Sequence, residues 1–198
     1  VRLAMDTVEC DFGGLTIRRP KGRLESMAVS EQVVAQADAL QYELQEGPCV
    51  AASWNQETFL SEDLARDERW PIWGPKAAAL GFGSLLAVQM GTRASPVGAL
   101  NLYSSRIRDF SSEDLAFAQL LANQAASALL AANQIETLRQ AVDGRTLIGQ
   151  AQGILMERYS LDAEQAFSVL RRYSQAHNLK LRAVAEKLVA TRELEPPA

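Results

Sequence analysis

Short apolar runs, each bounded by glycine or proline, recur along the first 110 residues of the chain. Phe12 to Ile17, Leu85 to Met90 and Val97 to Tyr103 are rich in aliphatic and β-branched side chains. Such runs predict β-strands. Only the segment from Gly91 to Pro96 separates the last two, which predicts a β-hairpin.

Alanine-rich stretches lie between these runs. Glu31 to Leu44 and Pro75 to Leu80 predict helices, and Gly47-Pro48-Cys49 predicts the start of another. Strands and helices mixed in this order, with an antiparallel pair late in the unit, predict an α+β domain with a sensor-like arrangement of elements.

The chain changes character at Ser111. Its hydroxyl can cap a helix whose third residue is Asp114, a variant of the capping box. No glycine follows until Gly144 and no proline until Pro196. This predicts one helix, or two in series, of more than thirty residues from about residue 112.

Apolar residues recur with heptad spacing in this helix. Leu121, Ala128, Ile135 and Val142 are seven residues apart, and Leu138 lies three residues after Ile135. This is the a/d spacing of a coiled coil, and it predicts a homodimer with these five residues as its seam. The alternative is that the same face packs on the chain's own first domain.

Three amphipathic segments make up the tail. The first continues to about Tyr159, the second runs from Ala163 to about Ala176, and the third runs from about Leu181 to Leu194. Asp162 and Gln165 form a capping-box pattern before the second segment. We expect an all-α three-helix bundle.

Composition narrows the chemistry. The longest apolar runs are shorter than the roughly 20 residues that span a bilayer, so we expect a cytoplasmic protein with no membrane partner. The two cysteines, Cys10 and Cys49, are far apart and the chain has one histidine. We therefore expect no metal site, no disulfide framework and no cofactor.

Charge is distributed unevenly. The net charge is -4; residues 1–133 hold 11 basic and 16 acidic side chains, whereas residues 134–198 hold 9 and 8. A nonspecific phosphate binder is expected to be strongly basic. Any contact of the tail with nucleic acid must therefore be local.

Ordered motifs run through the tail. They are Ile148-Gly149-Gln150-Ala151-Gln152-Gly153-Ile154-Leu155-Met156, Ala166-Phe167, Leu170-Arg171-Arg172, Ser174-Gln175, Asn178, Lys180-Leu181 and Val184-Ala185. In order and spacing they resemble the signature of ANTAR domains. That resemblance implies a dimer that binds tandem RNA stem-loops in nascent transcripts and prevents a downstream terminator hairpin from forming. The chain would then be a transcription antitermination regulator.

The resemblance and the side-chain chemistry select the candidate RNA contacts. Amides and hydroxyls suit base edges in an open loop, and cations suit phosphates. The candidates are Arg145, Gln152, Arg172, Ser174, Asn178 and Lys180. Many ANTAR relatives carry lysine where this chain has Gln152, which predicts a shallower salt dependence. The alternative for all six is a solvated helix surface.

Two small residues in the first tail helix need a reason. Gly153 costs about 1 kcal/mol in a helix relative to alanine. Either a binding partner approaches closely there, or Ala151 and Gly153 pack tightly on another helix of the bundle. Tyr159 and Tyr173 could stack on a loop base or pack in the bundle.

The first domain resembles a GAF domain. The resemblance rests on Gly47-Pro48-Cys49, Arg69-Trp70-Pro71, Gly81-Phe82-Gly83-Ser84 and Gly98 to Tyr103. It implies an antiparallel sheet with helices and an unknown small-molecule ligand. We place this sensor domain at residues 1–133, including the start of the long helix at 112–133, and the RNA-binding domain at 134–198.

Other functions compete with this hypothesis. Some GAF-like domains reduce methionine sulfoxide through cysteines, and Cys49 near a helix start could have a lowered pKa. Alternatively, Cys49 is a small buried residue. A regulator that binds DNA or acts through protein contacts is the other alternative. We favour a regulator that is not an enzyme.

Overall fold

The structure, a computed structural model, describes residues 1–55, 58–92 and 95–194; the side chains of residues 53–55 are not described. The chain folds as two compact units, Val1–Ala131 and Ala132–Ala198. They are considered separately below.

A five-stranded antiparallel sheet, with strand order β2-β1-β5-β4-β3, forms the centre of the first unit. Its strands are β1 (Phe12–Arg18), β2 (Leu24–Val29), β3 (Phe59–Ser61), β4 (Ser84–Thr92) and β5 (Ser95–Ser104). The sequence predicted β1, β4 and β5. It missed β2, whose run contains a glutamate, and β3, whose three residues are too few to show a period.

Four short helices precede the long one. They are α1 (Arg2–Val8), α2 (Gln32–Leu44), α3 (Pro48–Asn55) and α4 (Trp73–Ala79). Helices α2, α3 and α4 were predicted. The predicted hairpin also forms, because β4 pairs with β5 out to Thr92 and Ser95. Residues 93 and 94 of its connection lie outside the described residues.

Each face of the sheet is covered by different helices. Leu86, Leu100 and Leu102 point to one face and pack with α1 and the start of the long helix. The opposite face lies under α2, α3 and α4, and its core includes Trp73 and Tyr103. Leu102 and Tyr103 lie on different faces because neighbouring residues of a strand point to opposite sides.

Close pairing of β1 with β5 requires a glycine. A Cβ at Gly98 would overlap the carbonyl oxygen of Thr16. The two strands could not keep this register with a larger residue there.

The long helix, α5, runs from Ser112 to Tyr159 without interruption, over 48 residues. Its first turn is capped as predicted. The Asp114 backbone N–H donates to Ser111 Oγ at 3.1 Å, and the Ser111 N–H donates to the Asp114 carboxylate at 2.9 Å. Arg108 pairs with the same carboxylate at 3.0 Å. Because α5 is continuous from Ser112 to Tyr159, the alternative of two helices in series is wrong.

Helix α5 is also long and apolar enough, by length and composition alone, to cross a membrane. The lengths of the apolar runs did not indicate this. Its alanine content has a structural explanation, because Ala118, Ala122 and Ala126 are buried in the core of the first unit. Polar residues such as Gln124 interrupt the same stretch.

The second unit is the expected three-helix bundle, built from the end of α5, α6 (Ala163–Ala176) and α7 (Leu181–Thr191). Both hydrogen bonds of the Asp162–Gln165 capping box are present. Helix α7 ends three residues earlier than predicted, because Arg192 adopts a left-handed conformation with φ of 61° and its N–H donates to the carbonyl of Leu188. The core consists of Ala151, Leu155, Ala166, Leu170, Val184, Ala185 and Leu188.

Candidate functional site

Two arginines fix how α7 lies along α5 in the second unit. At the start of α7, Arg182 Nη1 donates to the carbonyl of Gln140 at 3.3 Å. Near the other end of the bundle, Arg158 Nη1 of α5 donates to the carbonyl of Arg192 at 2.5 Å. The two helices therefore run in the same direction, and α6 returns between them.

Three of the six candidate RNA contacts meet at the turn from α6 to α7. Ser174 Oγ donates to the carbonyl of Leu179 at 2.6 Å, across the turn. Asn178 has a φ of 51°, the left-handed conformation that asparagine tolerates better than most residues. Lys180 is exposed and immediately precedes α7. Ser174 thus lies near the end of α6, Asn178 within the turn and Lys180 directly before α7.

Gln152 lies elsewhere, where α5 meets α6. It is partly buried, and its amide nitrogen donates to the carbonyl of Ala163 at 2.9 Å. This side chain therefore links two helices of the bundle. Sequence reasoning assigned it to RNA and did not foresee this contact, because residues 11 apart meet only when the helices pack.

Several cations of the second unit are unpaired. Among the described residues, Arg145, Arg171, Arg172 and Lys180 form no hydrogen bond or ion pair through their side chains, and all four are exposed. An exposed cation without an internal partner can contact a phosphate without first breaking a bond.

The small residues of α5 divide into two kinds. Ala151 is fully buried in the bundle core, which confirms the packing interpretation at that position. Gly149 and Gly153 are exposed, and a Cβ at either would find nothing within 4 Å. Packing against the residues that the structure describes therefore does not explain these two glycines.

Gly153 borders a surface cleft of about 510 Å³. The cleft lies between α5 and the end of α7, and it is lined by Gln150, Gly153, Ile154, Glu157, Arg158, Val189 and Arg192. The mixed charges of its lining do not select a ligand.

The two tyrosines also differ. Tyr173 stacks on His177 with ring centroids 4.0 Å apart and packs against the bundle core. Tyr159 is 60% exposed at the end of α5. Of the pair, Tyr159 is the aromatic ring available to a base.

The predicted seam residues lie in different surroundings. Ile135, Leu138 and Val142 are 51%, 60% and 60% exposed, which is unusual for large apolar side chains at regular spacing. Ala128 is also exposed, whereas Leu121 packs against the core of the first unit. At Leu121 the face is therefore covered within its own unit.

The cysteines of the first unit are not arranged for redox chemistry. Both are free and buried, and they belong to core clusters on opposite faces of the sheet. Burial raises the pKa of the Cys49 thiol to about 12, and burial likewise raises the pKa of Cys10 to about 12. Of the two alternatives for Cys49, the structure supports the small buried residue, because burial outweighs the position near a helix start.

A buried polar cluster near Cys49 escaped sequence reasoning. The Asp38 carboxylate of α2 accepts a hydrogen bond from the Ser26 hydroxyl of β2 at 2.6 Å. The Tyr42 hydroxyl lies 2.9 Å from the Thr16 hydroxyl of β1. All four side chains lie at the face of the sheet under α2, α3 and α4, which also contains Tyr103. A single aspartate on an apolar helix gave no signal, because its partners lie on separate strands.

The fold defines the class of protein as an α+β domain followed by a three-helix domain. The GAF domain family matches residues 1–130, and the ANTAR domain family matches residues 136–189. The chain belongs to the GAF family, with an ANTAR domain after the GAF domain. This architecture is that of an RNA-binding regulator, and it points to a regulator rather than an enzyme.

Solved structures agree on the fold of the first unit. The GAF domain of a phosphoenolpyruvate-protein phosphotransferase from Coxiella burnetii is 17% identical, with a TM-score of 0.56; the match covers 69% of this chain and 82% of that one. The GAF domain of a two-component sensor histidine kinase from Bacillus halodurans is 14% identical, with a TM-score of 0.52 and coverage of 68% and 94%.

An enzyme has a similar fold. The type II free methionine-R-sulfoxide reductase from Thermoplasma acidophilum is 20% identical, with a TM-score of 0.51 and coverage of 64% of this chain and 83% of that one. At this identity the likeness concerns the fold alone. No curated protein matches the chain.

Proposed function

We propose that this protein is a cytoplasmic transcription antitermination regulator, in which a GAF sensor at residues 1–133 controls a dimeric RNA-binding domain at residues 134–198. The dimer binds tandem stem-loops in nascent transcripts. The observation that carries the proposal is a group of exposed cations on an ANTAR fold that pair with none of the described residues: Arg145, Arg171, Arg172 and Lys180.

The candidate contacts divide by chemistry. Arg145, Arg172 and Lys180 meet phosphates, because their charges are unpaired and exposed. Asn178, at the tip of the α6–α7 turn, reads a base edge. Ser174 and Gln152 each donate to a backbone carbonyl in the free protein, so they contribute to RNA binding mainly by holding the turn and the helix junction.

Dimerisation supplies the second RNA site. The exposed residues Ile135, Leu138 and Val142 repeat with a/d spacing, and a second copy of the helix would cover them. Two linked RNA-binding domains on two linked stem-loops gain affinity through effective concentration, without any new contact.

The decisive experiment measures binding of the full chain to a tandem stem-loop RNA and to a scrambled RNA of the same length. We expect a clear preference for the stem-loops. The double variant Arg145→Gln/Arg172→Gln should bind the stem-loop RNA more weakly than the wild type at all salt concentrations. Its plot of log affinity against log salt should be shallower by about 0.7 to 0.9 for each phosphate that the variant no longer neutralises.

The control is Lys76→Gln, which removes one exposed cation from the first unit. It should bind RNA like the wild type. Equal affinity of the wild type for stem-loops and scrambled RNA would contradict the proposal. Stronger binding to duplex DNA than to RNA would instead support a DNA-binding regulator.

Control by the sensor is tested through the helix that joins the domains. Ile135→Pro removes a backbone hydrogen bond within α5 and kinks it. We expect this variant to lose the difference in RNA affinity between ligand-bound and ligand-free protein, while the second unit keeps its fold by circular dichroism. Unchanged RNA affinity in every state would argue against transmission through the helix.

A further inference from the structure

The face of the sheet that lies under α2, α3 and α4 carries an unusual concentration of polar side chains. Cross-strand neighbours point to the same side, so the register of β1, β4 and β5 places Thr16, Asn101 and Tyr103 on one face. Asp38 and Gln41 of α2 lie above them, and all five side chains are fully buried. The opposite face is lined by aliphatic residues.

Many of these polar atoms have no partner. Within the part of the chain that the structure describes, seven buried side-chain atoms make no hydrogen bond, and all seven belong to residues on this face or on α2 above it. They are Asp38 Oδ1, Gln41 Nε2, Ser61 Oγ, Gln89 Nε2, Asn101 Oδ1, Asn101 Nδ2 and Tyr103 Oη, of which Tyr103 Oη is near enough to the Asp38 carboxylate to lower the pKa of that carboxyl group. A buried polar group without a partner costs about 1–3 kcal/mol, so such groups are few in native proteins and call for an explanation.

From this cluster we infer that the GAF domain binds a small molecule carrying a cationic N–H donor group, such as an amidinium or ammonium group, at Asp38, Asn101 and Tyr103. The inference deepens the sensing half of the proposed function by naming the ligand class and its contacts. Asp38 Oδ1 would accept from the ligand's N–H groups, and the amide of Asn101 would fix the orientation of the ligand.

The charge of the Asp38 carboxylate favours a cationic ligand over an anionic one. No basic side chain is among the described groups that act on Asp38, whose neighbours are the hydroxyls of Ser26, Thr16 and Tyr103. An anionic ligand such as a phosphate or carboxylate would lie against a buried carboxylate with no cation to offset either charge. A ligand with positively charged N–H groups supplies the missing counter-charge and donates to the unpartnered oxygens Asp38 Oδ1 and Asn101 Oδ1.

The other titratable groups around Asp38 add no charge to the cluster at neutral pH. Tyr42 faces it from α2, Cys49 from α3 and Tyr103 from β5, and burial raises the pKa of all three. All three are therefore neutral at pH 7. Burial also raises the pKa of Asp38 to about 6, so Asp38 itself is mostly ionised at pH 7.5 and mostly neutral at pH 5.

The test uses acetamidinium and acetate, which have the same shape but opposite charge. Thermal unfolding of the full chain is followed at pH 7.5 in acetamidinium chloride, in sodium acetate and in sodium chloride at equal ionic strength. At ten times its dissociation constant, acetamidinium should raise the melting temperature of the first unit by about 3–5 °C. Acetate should have no effect beyond that of sodium chloride, and the acetamidinium effect should shrink at pH 5.

Two variants and a control separate binding from folding. Asp38→Asn should fold and lose the acetamidinium effect, and Asn101→Leu, which removes two unpartnered polar atoms, should also fold and lose it. Glu62→Gln, at an exposed carboxylate, should keep it. A shift that persists in Asp38→Asn, an equal shift with acetate, or no shift in the wild type would overturn the inference.

RNA affinity measured on the same preparations separates this inference from the proposed function. A wild type that responds to acetamidinium but binds no stem-loop RNA leaves the ligand site standing and contradicts the proposed function. A wild type that binds RNA but does not respond to acetamidinium contradicts the ligand site alone.

Discussion

The side-chain amide of Gln152 donates a 2.9 Å hydrogen bond to the carbonyl of Ala163, the first residue of α6. This carbonyl lies on the side of the bundle where α5 and α6 meet. A residue that we predict to contact RNA thus joins two helices of the bundle, and substitution can test the RNA contact separately from this hydrogen bond.

Gln152→Lys tests whether this junction faces RNA. A lysine can still donate to the Ala163 carbonyl, so the fold should be retained, and it adds one cation. The slope of log affinity against log salt should steepen by about 0.7–0.9 if the new charge meets a phosphate. Gln124→Lys makes the same change at an exposed position of the first unit and should leave the slope unchanged. An unchanged slope in Gln152→Lys would place residue 152 away from the phosphates.

Asn178 and Ser160 provide a matched pair at the two turns of the bundle. Both have a left-handed backbone, with φ of 51° and 53°. Glycine adopts this conformation readily, so Asn178→Gly and Ser160→Gly should each change the free energy of unfolding by no more than about 0.5–1 kcal/mol. Only Asn178→Gly should weaken RNA binding, measured by titration at constant salt. Equal RNA affinities of the two variants would show that the Asn178 side chain does not contact RNA.

The exposed apolar residues of α5 predict a specific effect on assembly. Ile135→Asn should shift the protein towards monomer in sedimentation equilibrium and weaken binding to tandem stem-loops more than binding to a single one. The second unit should remain folded, because Ile135 is exposed in the single chain. Leu130→Asn is the control, since Leu130 is also exposed but points away from the seam. A wild type that is monomeric at micromolar concentration would contradict the dimer.

Asp38 predicts a pH dependence of stability. Its pKa is about 6 in the folded protein, because burial disfavours the charged form, against an ordinary value of 3.8. The folded state therefore holds this proton more tightly, and stability is lost as the pH rises from about 4 through 6. Asp38→Asn lacks this proton. The wild type should lose this stability between pH 4 and pH 7.5 and the variant should not. The free energy of unfolding of the variant minus that of the wild type should therefore rise by about 2–3 kcal/mol over this range.

Denaturant unfolding at several pH values measures that difference. Glu62→Gln should show no comparable trend, because Glu62 is exposed. Parallel stability curves of Asp38→Asn and the wild type would mean that the carboxyl titrates normally.

The two thiols should be unreactive in the native protein. Thiol exchange needs the thiolate, and burial raises the pKa of Cys10 and Cys49 to about 12. Reaction with a disulfide reagent at pH 7.5 should therefore be slow and limited by unfolding, whereas both thiols should react at once in guanidinium chloride. A fast reaction of one thiol that disappears in Cys49→Ser would revive the reductase alternative.

Local signals in the sequence determined the helical part of this protein. The caps at Ser111 and Asp162 involve residues three apart, so their hydrogen bonds form as soon as the helix does. Apolar runs likewise indicated β1, β4 and β5, and the ordered motifs of the tail indicated the ANTAR domain. Strand β3 was missed because three residues carry no period.

Only the tertiary structure decided what individual side chains do. Asp38 and Asn101 are far apart in sequence, and the sheet register and the packing of α2 bring them to one buried face. Packing likewise covers part of Leu121 in the first unit while leaving Ile135 exposed, although the heptad pattern treats them alike. Spacing along a chain fixes which face of a helix a residue occupies; what covers that face depends on contacts between distant segments, which the pattern does not contain.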